Sequence, residues 1–131
     1  MKAGTFLLLV ILVFGCVGKK QKSSTTLEGK GRLRFLELTY NFGELKHGDI
    51  VGHRFAVINE GAYPVVIQNV EHGCGCTDAM FPKEPIEPKD TVFVEVIFDT
   101  KGWTGRQVKQ VVVMANDSIQ KHELLVWASI K

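Results

Sequence analysis

The chain has 131 residues, the length of one domain. Sixteen Lys and Arg against fourteen Asp and Glu leave a net charge of +2, too small an excess for the electrostatic footprint of a nucleic-acid binder. Apolar residues at 45% and charged residues at 23% exclude a fully disordered chain, and three cysteines are too few for a disulfide scaffold.

The N-terminus carries one charge at Lys2, an unbroken apolar run from Phe6 to Phe14, and then Gly15-Cys16. The run is far shorter than the ~20 residues that span a bilayer and has the layout of a secretory signal. Its end resembles the lipobox of bacterial lipoproteins, with Val13 at the apolar position three before the cysteine. That resemblance implies cleavage before Cys16, acylation of Cys16, and a membrane as one partner. Residues 1–15 are thus expected to be a signal peptide. Residues 16–34 follow as the lipidated cysteine and a flexible tether, because residues 17–34 hold six basic side chains against Glu28 alone, with four Ser and Thr between them. A basic leash of this kind would also adhere to anionic headgroups.

Residues 35–131 form the expected folded domain. Val92, Val94, Val96 and Phe98 alternate with Phe93, Glu95, Ile97 and Asp99, which predicts a strand with one strongly apolar face. Leu124, Val126, Ala128 and Ile130 repeat the pattern within Glu123–Ile130. Further strands are expected at Leu33–Tyr40, Ile50–Asn59, Tyr63–Val70 and Gln107–Ala115, each rich in β-branched or aromatic residues. Glycine-bearing turns fall at 46–49 and 59–62, Asn116-Asp117-Ser118 reads as a hairpin loop, and Pro82, Pro85 and Pro88 punctuate an irregular stretch from Gly73 to Asp90. Short strands with hairpin-length connections predict an all-β, two-sheet antiparallel sandwich, with an up-and-down barrel as the alternative. Trp103, in a Gly-Trp-Thr-Gly turn, is expected to pack over a sheet edge rather than in a ligand site, and the four histidines are expected to face solvent.

Phe42-Gly43-Glu44-Leu45 with Gly48, Phe55 with Asn59-Glu60-Gly61, Cys74-Gly75-Cys76-Thr77, Phe98-Asp99-Thr100 with Gly102 and Gly105, and Asn116 together resemble the bacterial domain-of-unknown-function family 1573. Lys89 follows Pro88 at a position where that family often carries a glycine. The resemblance implies an immunoglobulin-like sandwich, frequently on exported lipoproteins, and no established activity.

The one cluster with chemical potential is His72-Gly73-Cys74-Gly75-Cys76, followed by Asp78 and Met80. Three readings stay open for Cys74 and Cys76. They form a structural or incidental pair, a thiol–disulfide redox pair, or, with His72 and the Met80 thioether, ligands for Cu(I) or Zn(II). No phosphate-binding loop, nucleophile elbow or His-Glu-x-x-His pair is present, and Glu84 and Glu87 lie in a Pro-rich loop as solvated charges. The expectation is therefore a non-enzymatic, membrane-tethered module of the cell envelope, facing the periplasm. It would need no cofactor and would bind or assemble with another envelope protein. The alternative is a periplasmic thiol-redox or metal-handling protein.

Overall fold

The computed structural model describes residues 29–131. The expected signal peptide, Cys16 and most of the expected tether lie outside them. Eight strands follow in chain order: β1 (Leu33–Phe35), β2 (Thr39–Leu45), β3 (Ile50–Asn59), β4 (Ile67–His72), β5 (Thr77–Met80), β6 (Thr91–Asp99), β7 (Gly105–Ala115) and β8 (Lys121–Ile130). They form two four-stranded sheets, β1-β3-β6-β5 and β2-β8-β7-β4, packed face to face as an immunoglobulin-like sandwich. Among the described residues no helix is long and apolar enough to cross a membrane.

Period-two alternation builds the core as the sequence predicts. Val94 and Val96 of β6 are fully buried in one cluster with Val111 and Val113 of β7, Leu124 and Val126 of β8, and Phe55 and Val57 of β3, while the fully buried Phe98 clusters with Ala128 and Ile130. Two elements depart from expectation. The run Leu33–Tyr40 is two strands in different sheets: Leu33 and Phe35 point into the core from β1, the chain crosses over at Leu36–Leu38, and β2 continues beside β8. Crossing over lets β2 pair with β8 in parallel, the one parallel pairing among the described residues. The pairing is interrupted between Asn41 and Glu44, where Gly43 adopts φ +77° and its N–H donates to Asn41 Oδ1 at 2.7 Å. The second departure is β5, a four-residue strand inside the stretch expected to be irregular.

The folded part also begins earlier than the expected tether boundary at residue 34. Leu33 and Arg34 are in β1, and Leu33 is buried with its N–H donating to Asp117 Oδ2 at 3.0 Å. His122 is not solvent-facing: it is buried, and its Nε2 donates to the same fully buried Asp117 carboxylate at 3.0 Å. Asp117, expected only as a turn residue, thus ties the β7–β8 hairpin to β1.

Lys89 lies in the left-handed region at φ +71°. This conformation costs a side-chain-bearing residue about 1–2 kcal/mol. Glycine takes it freely but loses about 0.5–1 kcal/mol through its more mobile unfolded chain. Lys89→Gly is expected to stabilise the domain by about 0.5–1 kcal/mol in a urea titration; a loss of stability would show that the lysine side chain offsets its own backbone strain.

Candidate functional site

The register separates the molecule into two poles. Leu33 pairs with Asn59 at one end of β3, so the described chain enters at that pole. Val51, near the other end of β3, pairs with Phe98, and Phe98 pairs on its other side with Thr77. Cys74-Gly75-Cys76 therefore sits at the pole away from the chain entry, roughly 26 Å along β3 at ~3.3 Å per residue. It links the end of β4, an edge of one sheet, to the start of β5, an edge of the other.

Cys74 and Cys76 form a disulfide with a Cα–Cα separation of 5.2 Å. The loop is held independently of that bond. The Cys74 carbonyl accepts hydrogen bonds from the Thr77 N–H at 3.4 Å and from His72 Nδ1 at 3.1 Å, and the Asp99 N–H donates to the Cys76 carbonyl at 2.8 Å. The two sulfurs are not equivalent. Cys76 packs against the buried cluster of Phe98, Ala128 and Ile130, whereas Cys74 lines an open groove of about 490 Å³. Among the described residues no three His, Cys, Asp or Glu side chains gather as a metal site. In the set His72, Cys74 and Cys76, both sulfurs are joined to each other and the His72 Nδ1 is engaged by the Cys74 carbonyl.

The groove has an apolar wall from Trp103, Val108 and Val112 and polar groups from Glu71, Gln110 and Lys109. Trp103 reaches it because the Thr100–Trp103 turn closes with the Trp103 N–H on the Thr100 carbonyl at 3.0 Å, and Gly102 supplies the positive φ of +83° that this turn needs. Thr100 is fully buried and anchors the turn: its hydroxyl donates to the Asp49 carbonyl at 2.8 Å, with the Lys46 carbonyl at 3.0 Å. Trp103 covers the end of the core, as expected of an edge residue, and lines the groove as well. Lys109 Nζ lies 3.3 Å from the Trp103 ring centre and 5.8 Å from that of Phe98, within reach of a cation–π attraction. Burial lowers its pKa below the ordinary lysine value.

Sequence reasoning found Cys74 and Cys76 and missed their neighbours. Lys109 stands 35 positions from Cys74 and Trp103 stands 29, and only the pairing of β7 with β4 and β8 brings them together. The alternation in β7 does carry a signal. Lys109 occupies the same phase as the buried Val111, Val113 and Ala115, and a lysine on the core face of a strand marks the place where that face opens to solvent.

No protein with a curated description matches the chain. Among solved structures it is similar to a protein of unknown function from Porphyromonas gingivalis W83, at 17% identity and a TM-score of 0.68 over 83% of this chain and 51% of that one. The chain thus spans about half the length of that protein. It is similar to VesB protease of Vibrio cholerae at 11% identity and a TM-score of 0.57, over 78% of this chain and 32% of the protease. It is also similar to the ASH/PapD-like domain 7 of human CEP192, at 12% identity and a TM-score of 0.56, over 97% and 96% of the two chains. Likeness at these identities concerns the fold, and the fold does not carry an activity with it. The family model described as "Protein of unknown function (DUF1573)" matches residues 33–130, the whole sandwich from β1 to β8, and the chain belongs to the DUF1573 family.

Proposed function

We propose that the chain is an exported lipoprotein of the bacterial cell envelope, a non-enzymatic module held on a membrane through acylated Cys16 and binding a second envelope protein with its far pole. The observation that carries this reading is the polarity of the sandwich. The chain enters beside Asn59, while the disulfide loop, Trp103 and the groove sit at the opposite end. A domain anchored at its N-terminus would hold that end away from the lipid surface. Several acyl chains at ~0.8 kcal/mol per buried methylene would make such an anchor stable.

Cys16→Ser is expected to abolish labelling by a radiolabelled fatty acid. Labelling that persists in the Ser variant would overturn the lipoprotein reading. A photo-cross-linking residue at Val108, on the far pole, is expected to give a discrete adduct in intact cells, and one at Glu60, at the entry pole, none; the reverse pattern would place the binding surface elsewhere.

A further inference from the structure

β7 is longer than its neighbour β4. Gly105–Gln110 pairs with β8 on one side, but pairing with β4 ends at the Val111–His72 partners. Beyond His72 the chain turns out at Gly73 toward β5, so the position that would continue β4 along β7 holds no strand among the described residues. Alternate backbone N–H and C=O groups of Gly105–Gln110 face this gap, and an unpaired strand edge accepts an extended peptide by strand addition. The gap is the groove, and Cys74 stands at its β4 end.

The geometry points to a thiol–disulfide exchange site: an extended peptide carrying a reduced cysteine lies along the free edge of β7 at Gly105–Gln110, and its thiolate attacks Cys74 Sγ and expels the Cys76 thiolate. This rests on the reading that the far pole meets a partner and goes beyond its non-enzymatic part by giving that contact a chemistry. Three observations select the occupant. The free edge calls for an extended backbone. The Trp103, Val108 and Val112 wall calls for an apolar side chain next to the cysteine. The cysteine lining the groove belongs to a disulfide, whose reaction partner is a thiol. Both cysteines are half-buried, but Cys74 lines the groove while Cys76 packs against Phe98, Ala128 and Ile130, which makes Cys74 the sulfur nearer an incoming peptide.

The step balances without a further reagent. The incoming thiol gives its proton to water, its sulfur bonds to Cys74 as the Cys74–Cys76 bond breaks, and the Cys76 thiolate takes up a proton in turn. A second thiol on the same peptide then attacks the peptide sulfur and displaces Cys74, so the peptide loses two electrons and the domain's disulfide gains them. Reduction leaves the loop in place, because the hydrogen bonds to the Cys74 and Cys76 carbonyls do not involve sulfur. A disulfide closing so short a loop restricts the unfolded chain little, so the fold does not depend on it.

The test uses the oxidised full-length protein in detergent, a β-prone peptide with one cysteine flanked by aromatic and β-branched residues, and glutathione as the small thiol. Rates are compared at equal thiolate concentration, and mixed disulfides are mapped by mass spectrometry after acid quench. The peptide is expected to saturate, to react at least tenfold faster than glutathione (about the worth of one good aromatic contact plus strand pairing), and to be found on Cys74. The neutral surface change Val108→Ser, at a half-exposed groove position outside the core, is expected to remove most of the peptide's advantage while changing the glutathione rate far less, with circular dichroism showing that the variant is folded. Peptide bound mainly to Cys76, or a peptide rate equal to that of glutathione, would overturn the proposal. A peptide advantage without a cellular cross-link at Val108 would sink the partner reading and leave the exchange chemistry, whereas a cross-link without a peptide advantage would do the reverse.

Discussion

Val96→Asp is expected to unfold the domain, or nearly so. Val96 lies in the middle of β6, paired with His53 on one side and Ala79 on the other, and it is fully buried between the sheets. A carboxylate there has no donor to meet it and either stays charged in an apolar layer or takes up a proton. Either course costs about 3–5 kcal/mol or more, against the roughly 5–15 kcal/mol that holds a domain of this size together. Glu95→Lys, one residue away, tests the same assignment from the other face. It sets a lysine opposite Arg54 on the exposed side of the sheet and is expected to cost under about 1 kcal/mol. Urea titration of both variants, read by tryptophan fluorescence and by far-ultraviolet circular dichroism, measures the difference. Equal midpoints would show that β6 does not present Val96 to a core.

The strands most legible in the sequence were those whose faces differ most. In β6, β7 and β8 at least three successive inward positions are aliphatic, aromatic or alanine, and period two follows from burial of one face. The run Leu33–Tyr40 was opaque because the signal that ends one strand and starts another was masked. Leu36 and Leu38 are 57% and 54% exposed where the chain changes sheets, yet their apolar character continues the look of a strand. The β5 strand was missed for the opposite reason. It is four residues long, sits between a glycine-rich loop and a proline-rich one, and exposes Met80. Nothing in the residues of β2 announces a parallel partner more than 80 positions away, since parallel and antiparallel pairs bury the same kinds of side chain.

Most residues that carry the family resemblance serve the architecture. Gly43, Gly48, Gly102 and Gly105 hold positive φ, Phe55 and Phe98 fill the core, and Thr100 and Asn116 hydrogen-bond backbone groups of other segments. Cys74-Gly75-Cys76 is different: it lies at the surface, its loop is pinned without the disulfide, and one of its cysteines lines a groove. That contrast assigns the search for function to the loop and the search for stability to the rest.

Asn59 is the strongest of the architectural residues, and its removal is the second large effect expected. Its side chain is fully buried at the pole where the described chain enters. Oδ1 accepts from the Arg32 N–H at 3.2 Å and the Gly61 N–H at 3.0 Å, while Nδ2 donates to the Tyr63 carbonyl at 2.7 Å and the Ile86 carbonyl at 2.9 Å. One amide thus satisfies two donors and two acceptors from three segments. Asn59→Ala strands all four groups and leaves a small void, at a cost of about 3–4 kcal/mol, and amide exchange at Leu33–Phe35 should quicken as β1 loses its support. Asn59→Asp is isosteric and keeps both accepted bonds, but it sets a charged oxygen against the Tyr63 and Ile86 carbonyls and should destabilise more than alanine at pH 7. Burial and the two carbonyls raise the folded-state pKa of that new carboxyl above its unfolded value. The stability it regains is therefore fully present below the unfolded aspartate range and is lost as pH rises through the folded pKa. Urea titrations at pH 7 and pH 4 should show the Asp variant's deficit against the parent narrowing in acid and the Ala variant's holding steady. An Asp variant more stable than the Ala variant at pH 7, or an Ala variant within 1 kcal/mol of the parent, about the worth of a single hydrogen bond, would show that the amide does not bind these three segments together.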